Sequence, residues 1–477
     1  MSDRRKTIIL LSCCLSLLIV SMDMTIVNVA IPAIRADLHA TPSQLQWVVD
    51  VYTLVLASLL ILAGATGDRF GRRRVFQLGL TLFAVGSLLC SLAPTIDMLI
   101  SARFVQGLGG SMMNPVALSL ISQVFTGRVE RARALGIWGA VVGISMALGP
   151  TVGGLLIEYV GWRAVFWINL PICAAAIVLT MIFVPESKSA TMRNIDPIGQ
   201  MLAVLFLFGV VFTLIEGPVQ GWTNPLVLGI AAVAAVAFVG FLAFESRRAD
   251  PFIDLRFFRS IPFASATLTA ISAFAAWGAF LFIMSLYLQA ERHFSALQTG
   301  LIYLPIAVGA LMFSPISGRL VGRYGARPSL LSAGVLITCA SVLLTFLTAT
   351  TPVWGLVMLF TVFGMGFSMV NAPVTNAAVS GMPLDRAGAA SAVTSTSRQV
   401  GVSIGVALCG SLTGTALTHL GADFAAAARP LWFVCVGLGI VVFCLGFYAT
   451  TPAALRSAER LAPLIEGPAR PKVAADV

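Results

Sequence analysis

The chain has 477 residues, of which 58% are hydrophobic and only 10% charged. A soluble domain carries about 25% charged residues, so this balance excludes an ordinary soluble enzyme and indicates a polytopic membrane protein. The net charge of +10 is spread over short loops and forms no basic domain, so it does not signal nucleic acid.

Apolar runs of about 17–25 residues are long enough to cross a bilayer. They fall near 8–31, 45–66, 75–93, 97–122, 133–157, 162–184, 197–216, 225–244, 262–288, 299–320, 329–349, 353–377, 389–417 and 431–450. The first follows a basic N-terminus as in a signal peptide, yet it leads into Asp23 without a convincing cleavage site and reads as a retained span. A break near Gly410 would shorten the thirteenth. Residues 451–477 read as a disordered cytoplasmic tail.

Fourteen spans put both ends on one side. If that side is the cytoplasm, inner segments hold 24 of the lysines and arginines and the outer ones hold Arg35, Arg163, Arg292 and Arg429. That asymmetry fixes the orientation by the positive-inside rule. Arg103 and Arg398 remain inside spans. The three histidines fall in outer loops, where they read as solvated. The eight cysteines lack the spacing of a metal site or disulfide framework and read as packing residues. Nothing implies a cofactor or a metal, and no nucleophile or nucleotide-binding loop marks an enzyme.

Internal repetition points to two halves. Gly64, Arg69, Gly71 and Arg73 recur 254 positions later as Gly318, Arg323, Gly325 and Arg327. Gly107, Gly109, Ser111, Met112 and Asn114 recur 257 positions later as Gly364, Gly366, Ser368, Met369 and Asn371. Repeats of this kind mark transporters. The expected domains are a six-helix bundle over 8–184, two added helices over 197–244 and a second six-helix bundle over 262–450.

Asp23, Asp50 and Arg103 are ionisable groups within apolar runs, where each is costly unless it meets a partner or a watery cavity. Both aspartates lie in the outer half of the first bundle at about the depth of Arg103, judged from the helical rise of about 1.5 Å per residue. Glu216, near the outer end of the seventh span, reads as solvated. In the inner loop 64–74, glycines permit a tight turn and Asp68 is placed to pair with a basic group across the bundle. A second glycine-rich stretch, Gly143 to Gly154 with Gly149, Pro150 and Gly153, suits a close helix seam or hinge.

With these motifs in order, the chain resembles the major facilitator superfamily, and within it the fourteen-span drug:proton antiporters. The loop holding Gly64, Asp68, Arg69, Gly71, Arg72 and Arg73 is similar to the family signature between spans 2 and 3. Arg103 to Gly109 resembles the span-4 motif, 143–154 the antiporter motif of span 5, and Met22 to Pro32 the span-1 motif, with Met22 where leucine is frequent. Trp47 to Tyr52 and Trp162 to Pro171 are similar to the same branch. The resemblance covers about 8–450 and implies proton-driven export of amphipathic drugs or antibiotics from the cytoplasm by a monomer in the inner membrane, surrounded by lipid. Its partners are then a small amphipathic substrate and protons, and its driving force the proton gradient. Asp23 or Asp50 would carry the proton, biased by Arg103, which keeps its own.

A cargo cavity between the halves would be lined from Asn28, Tyr52, Met112, Met113, Asn114, Met369, Asn371 and Arg398, the thioethers suiting varied apolar shapes. Arg398 there would favour acidic or neutral cargo over a permanent cation. Two alternatives stay open: a proton-coupled metabolite transporter on the same fold, and a membrane scaffold or sensor that transports nothing.

Overall fold

The computed structural model describes residues 2–125, 127–188, 196–248, 253–379, 387–413 and 424–466. All regular structure among them is helical. In chain order the elements are α1 (Asp3–Leu38), α2 (Pro42–Phe70), α3 (Arg72–Leu92), α4 (Ile96–Val124), α5 (Arg128–Tyr159), α6 (Ala164–Trp167), α7 (Asn169–Phe183), α8 (Pro197–Gln220) and α9 (Pro225–Glu245). After a 3-10 turn at Leu255–Arg259 come α10 (Ile261–Leu286), which runs on as a π-helical turn to Glu291, α11 (Ala296–Tyr324), α12 (Arg327–Thr345), α13 (Val353–Ser368) and α14 (Asn371–Val379). The chain closes with α15 (Ala387–Thr413), α16 (Phe424–Ala427), α17 (Arg429–Tyr448) and α18 (Pro452–Glu466).

Eleven of the helical segments described are long and apolar enough to cross a membrane. The protein is therefore an all-α polytopic membrane protein. The long helices α4 and α15 are not among the eleven, because polar groups such as Arg103, Gln106, Asn114, Arg398 and Gln399 interrupt them. No break occurs at Gly410, where α15 continues to Thr413; residues 414–417 lie outside the described residues. The tail departs from expectation over Pro452–Glu466, which is helical. Its Ala454 and Ala458, one turn apart, are buried, and Ser457 Oγ accepts from Ile261 N at 2.9 Å. Polar residues between the alanines keep the segment from resembling a span while leaving it one apolar stripe.

The sequence repeat has a physical counterpart. Thr41 and Gln44 form a capping box at the start of α2, and Ser295 and Gln298, again 254 positions on, form one at the start of α11. Each satisfies backbone donors that a helix start leaves unpaired. Both helices end at a glycine with positive φ, Gly71 at 114° and Gly325 at 79°, a conformation that side chains disfavour. Close approaches repeat too: Gly107 meets Tyr52 while Gly364 meets Ile306, and Gly109 meets Phe83 while Gly366 meets Ile337.

Two faces follow from the loops. The face with the chain's N-terminus joins Arg5 to the Phe183 carbonyl and Arg72 N to the Ser187 carbonyl. On the opposite face, Asp37 meets Trp162 and Arg163, and Gln44 meets Asp97. There the Arg163 guanidinium, then the Trp162 indole, hold the Asp37 carboxyl below the usual carboxylate range. Between the faces, α5 packs against α1 and α11, and α15 packs against α10 and α2. The helix α8 lies along α2 and α15, and α9 packs on α8.

Candidate functional site

At the centre of the first helices, Arg103 on α4 forms a fully buried ion pair with Asp23 on α1. Arg103 Nε donates to the Val48 carbonyl of α2 at 3.0 Å and Nη1 donates to Gln106 Oε1 at 2.7 Å. Its guanidinium lies 4.1 Å from the centroid of the Tyr52 ring, an additional cation–π contact. Gln106 Nε2 donates both to Asp23 Oδ1 at 2.9 Å and to Ser87 Oγ at 2.8 Å. Asn169 Nδ2 reaches the same two oxygens at 3.4 and 3.3 Å. Removing one partner from such a buried pair costs about 3–5 kcal/mol, so the cluster ties α1, α2, α3, α4 and α7 together. Ser87 and Asn169 were not singled out as site residues from the sequence. A polar side chain within an apolar span was their signal, but it is shared by many packing serines.

Asp50 is separate from that cluster. It is wholly buried, and neither carboxyl oxygen has a hydrogen-bond partner. Its neighbours Thr53 and Ser403 bond to each other at 2.6 Å between α2 and α15, and their hydroxyls lie close beside its carboxyl. One turn to the other side, Gln46 Nε2 donates to the Val406 carbonyl at 2.5 Å. Residues 46, 50 and 53 follow the spacing of one helical stripe, so Asp50 faces the α2–α15 seam between two cross-seam bonds. The shared local site expected of Asp23, Asp50 and Arg103 thus resolves into a satisfied ion pair and a solitary acid.

A second seam joins α5 to α11. Gly154 abuts the Ala296 carbonyl, Gly300 abuts the Pro150 carbonyl, and Thr151 Oγ1 donates to the Gly300 carbonyl at 3.0 Å. Gly149 and Gly153 instead receive α1, at Thr25 and Ile26. Gly143 lies among the residues whose side-chain surroundings are not described. In α15 the counterparts are Gly401 and Gly405 against α10, and Gly410 against Gln46. Further links between α1–α7 and α10–α17 are Gln289 to the Val29 carbonyl at 2.9 Å and Gln399 to Met24 Sδ at 3.7 Å. These contacts lie from mid-depth to the face opposite the N-terminus, whereas Gly318, Gly322 and Gly325 on the other side have open space around them.

The remaining candidates separate. Tyr52 is buried beneath Arg103 and Met113 is buried in the core of the first helices, so neither presents a surface in this conformation. Met112 is half-buried toward Gly79, and Met369 is buried, with its carbonyl taken by Ser317 and Ser329. Asn371 opens α14, half-buried. Asn28 Oδ1, Asn114 Oδ1 and Arg398 Nε lack hydrogen-bond partners. Asp68 pairs with Arg72 one turn along, at 2.8 Å, and among the described residues reaches no basic group across the bundle. Gly64 and Gly71 pack against Pro115 and Glu186. Arg73 Nη2 donates to the Met181 carbonyl at 2.7 Å, and Arg69 stacks over Phe70. Glu216, expected to be solvated, accepts from Trp47 Nε1 at 3.0 Å. Six cysteines are buried, but Cys339 and Cys444 are exposed. No cluster of metal ligands occurs among the described residues.

A helical membrane fold with a buried charge network and two glycine-lined seams defines a transporter and not an enzyme. The chain belongs to the Major Facilitator Superfamily, whose model matches residues 13–406. It is 36% identical over 410 residues to multidrug resistance protein Stp of Mycobacterium tuberculosis, covering 86% of this chain and 76% of that protein. It is 37% identical to a methylenomycin A resistance protein of Streptomyces coelicolor, covering 82% of each. To the tetracenomycin C resistance and export protein of Streptomyces glaucescens it is 36% identical over 84% of this chain and 75% of that one. The crystal structure of the human organic anion transporter MFSD10 shares the fold, with a TM-score of 0.60 at 16% identity over 94% of this chain and all of that one. The protein is a multi-pass inner-membrane transporter.

Proposed function

We propose that the chain is a fourteen-span, proton-driven exporter of amphipathic drugs or antibiotics, in the drug:proton antiporter branch of its family. In this reading α1–α7 and α10–α17 form the two six-helix halves, α8 and α9 are inserted between them, and both termini are cytoplasmic. The resistance and export proteins among its relatives support the direction of transport and the kind of cargo. The observation that carries the coupling is Asp50, a wholly buried acid inside the α2–α15 seam with no basic partner among the described residues.

A charge buried without a partner costs several kcal/mol. The closed seam therefore accommodates the acid form of Asp50, and loss of its proton favours a state in which the seam admits water. Contacts concentrated toward the outer face suit a conformation sealed outside and open to the cytoplasm. Cargo enters there, the halves rock, and a proton from outside resets Asp50 as cargo leaves. The proton is delivered inside on return, so proton and cargo bias opposite states. The Asp23–Arg103 pair, already satisfied, serves as the rigid frame on which α1, α2 and α4 move together. The glycines of the α5–α11 seam and the 64–74 loop form the gates. No cofactor takes part, and one chain suffices.

Proton release from the purified protein, followed while a candidate drug is added at several pH values, tests this. Release that grows with drug binding and disappears in Asp50→Asn is expected. Drug binding without any proton release would overturn the exchange mechanism.

A further inference from the structure

Arg398 is the one basic residue of α15, and no described residue neutralises it. Its guanidinium is half-buried between α10 and α14, where Nη2 donates to Thr375 Oγ1 at 2.6 Å and Nε has no partner. It forms no ion pair with any described residue. The Phe274 ring lies 5.9 Å away, at the edge of an aromatic wall in which Phe274 meets Phe367 at 5.0 Å and Phe367 stacks on Trp277 at 4.3 Å. The next residue, Gln399, turns toward Met24 of α1 and leaves its own Oε1 without a partner, as Asn28 leaves Oδ1 one turn beyond Met24.

Among the described residues, the acids of the neighbouring spans are occupied elsewhere. Asp23 is held by Arg103, Asp50 is sealed in the α2–α15 seam, Glu216 receives Trp47 and Glu291 accepts from Ala425 N. An unbalanced guanidinium within a membrane span is costly and marks a substrate path by default. Its planar fork matches a carboxylate through two parallel hydrogen bonds.

We infer that Arg398 receives the negatively charged group of the cargo, with the Phe274 and Phe367 rings beside its apolar body. The preferred substrates are then amphipathic organic anions, above all aromatic carboxylates. This rests on the reading of the protein as an exporter and specifies its cargo. The amide oxygens of Asn28 and Gln399 accept from hydroxyl or amide groups on the same molecule, which gives the site orientation in addition to charge.

The test uses three probes that differ only in charge: 2-naphthoate, 2-naphthamide and 2-naphthylmethylammonium, each titrated calorimetrically into the purified full chain near neutral pH. Naphthoate is expected to bind about tenfold or more tighter than the amide, the worth of a charge-assisted pair, and the ammonium weakest. In Arg398→Gln the advantage of naphthoate over the amide disappears. Arg398→Lys, which keeps the charge and loses the fork, retains part of it. Tightest binding of the ammonium, equal binding of all three, failure of naphthoate to bind, or an anion preference that survives Arg398→Gln would each overturn the inference. Failure of the exporter reading looks different: anions bind with the expected preference but release no proton. Proton release evoked by the amide or ammonium without an anion preference leaves the exchange standing and removes the role of Arg398.

Discussion

Thr53 of α2 and Ser403 of α15 share a hydrogen bond of 2.6 Å across 350 residues of sequence, and the carboxyl of Asp50 lies beside it with no bond of its own. The two hydroxyls are the acid's polar neighbours, and no basic residue among those described pairs with it. This arrangement links the protonation of one residue to the closure of one seam.

Asp50→Asn is isosteric with the acid form and keeps the seam closed. It should abolish transport driven by an imposed pH gradient while leaving the folded protein able to bind cargo. Uptake of a fluorescent drug into inverted vesicles, with and without the gradient, measures the first, and drug titration measures the second. Gradient-driven uptake at the wild-type level would remove Asp50 from the coupling step.

The Asp23–Arg103 pair predicts a different outcome. Arg103→Ala leaves a buried carboxylate among Gln106, Ser87 and Asn169, and should destabilise the protein by about 3–5 kcal/mol. The double change Asp23→Asn with Arg103→Gln removes both charges and should recover a large part of that loss. Thermal unfolding in detergent gives the comparison. If the double variant is no more stable than Arg103→Ala, the pair is not the frame that its geometry suggests.

Much of the fold was legible because a bilayer makes helices declare themselves as apolar runs, and because glycines recur at offsets of 254 and 257 positions. Gly109 and Gly366 were recognisable as a pair, and the structure shows what the pair does: each admits the backbone of the preceding helix, at Phe83 and Ile337. The Asp50 seam was not legible. Periodicity places residue 50 on a stripe of α2 but says nothing of which distant helix covers that stripe, and Ser403 lies in a run of small residues with no motif. Glu216 misled for the same reason, since its partner Trp47 belongs to a helix far away in sequence. The helix α18 was missed because two buried alanines among charged residues make too faint an apolar pattern for a rule tuned to spans.

Glycine substitutions separate close approach from mere turn-forming. At Gly109 a Cβ would sit 2.3 Å from Phe83 N, whereas at Gly318 it would meet nothing within 4 Å. Gly109→Ala should therefore force α3 and α4 apart, at about 1–3 kcal/mol of overpacking, and Gly318→Ala should be tolerated. The fraction that stays monodisperse after a heat step reads the contrast. Equal survival of the two variants would mean that α3 and α4 do not meet at Gly109.

On the face opposite the N-terminus the pH dependence has a definite sign. The carboxyl of Asp37 accepts from Arg163 at 2.7 Å and Trp162 at 3.0 Å, and both lower its folded pKa. A lowered folded pKa means that the clasp is fully present above the unfolded carboxylate value of about 3.9. It is lost as pH falls through the folded value. Because the pair is substantially exposed, screening keeps the effect small. Trp162 fluorescence, with the other seven tryptophans replaced by phenylalanine, should stay constant from neutral pH down to mild acid and change only below it. In Asp37→Asn that acid transition should vanish. A transition near neutrality would point to another group.

The placement of α8 makes the last prediction. Gln200 Nε2 bonds the Ser58 carbonyl and Glu216 receives Trp47, so α8 is tied to α2 at two well-separated levels. To α15 its described side-chain hydrogen bond is at one level, where Ser411 Oγ donates to the Leu214 carbonyl at 2.6 Å. When the α2–α15 seam opens, the helix should travel with its two anchors and part from the single one. With the exposed cysteines changed to serine, a disulfide between Leu214→Cys and Ser411→Cys should stop turnover and a reductant should restore it. A disulfide between Ser58→Cys and Gln200→Cys should leave turnover close to that of the reduced protein, since those residues move together. The opposite pattern would mean that α8 belongs to the second half, and tolerance of both bridges would mean that the seam beneath it stays shut throughout the cycle.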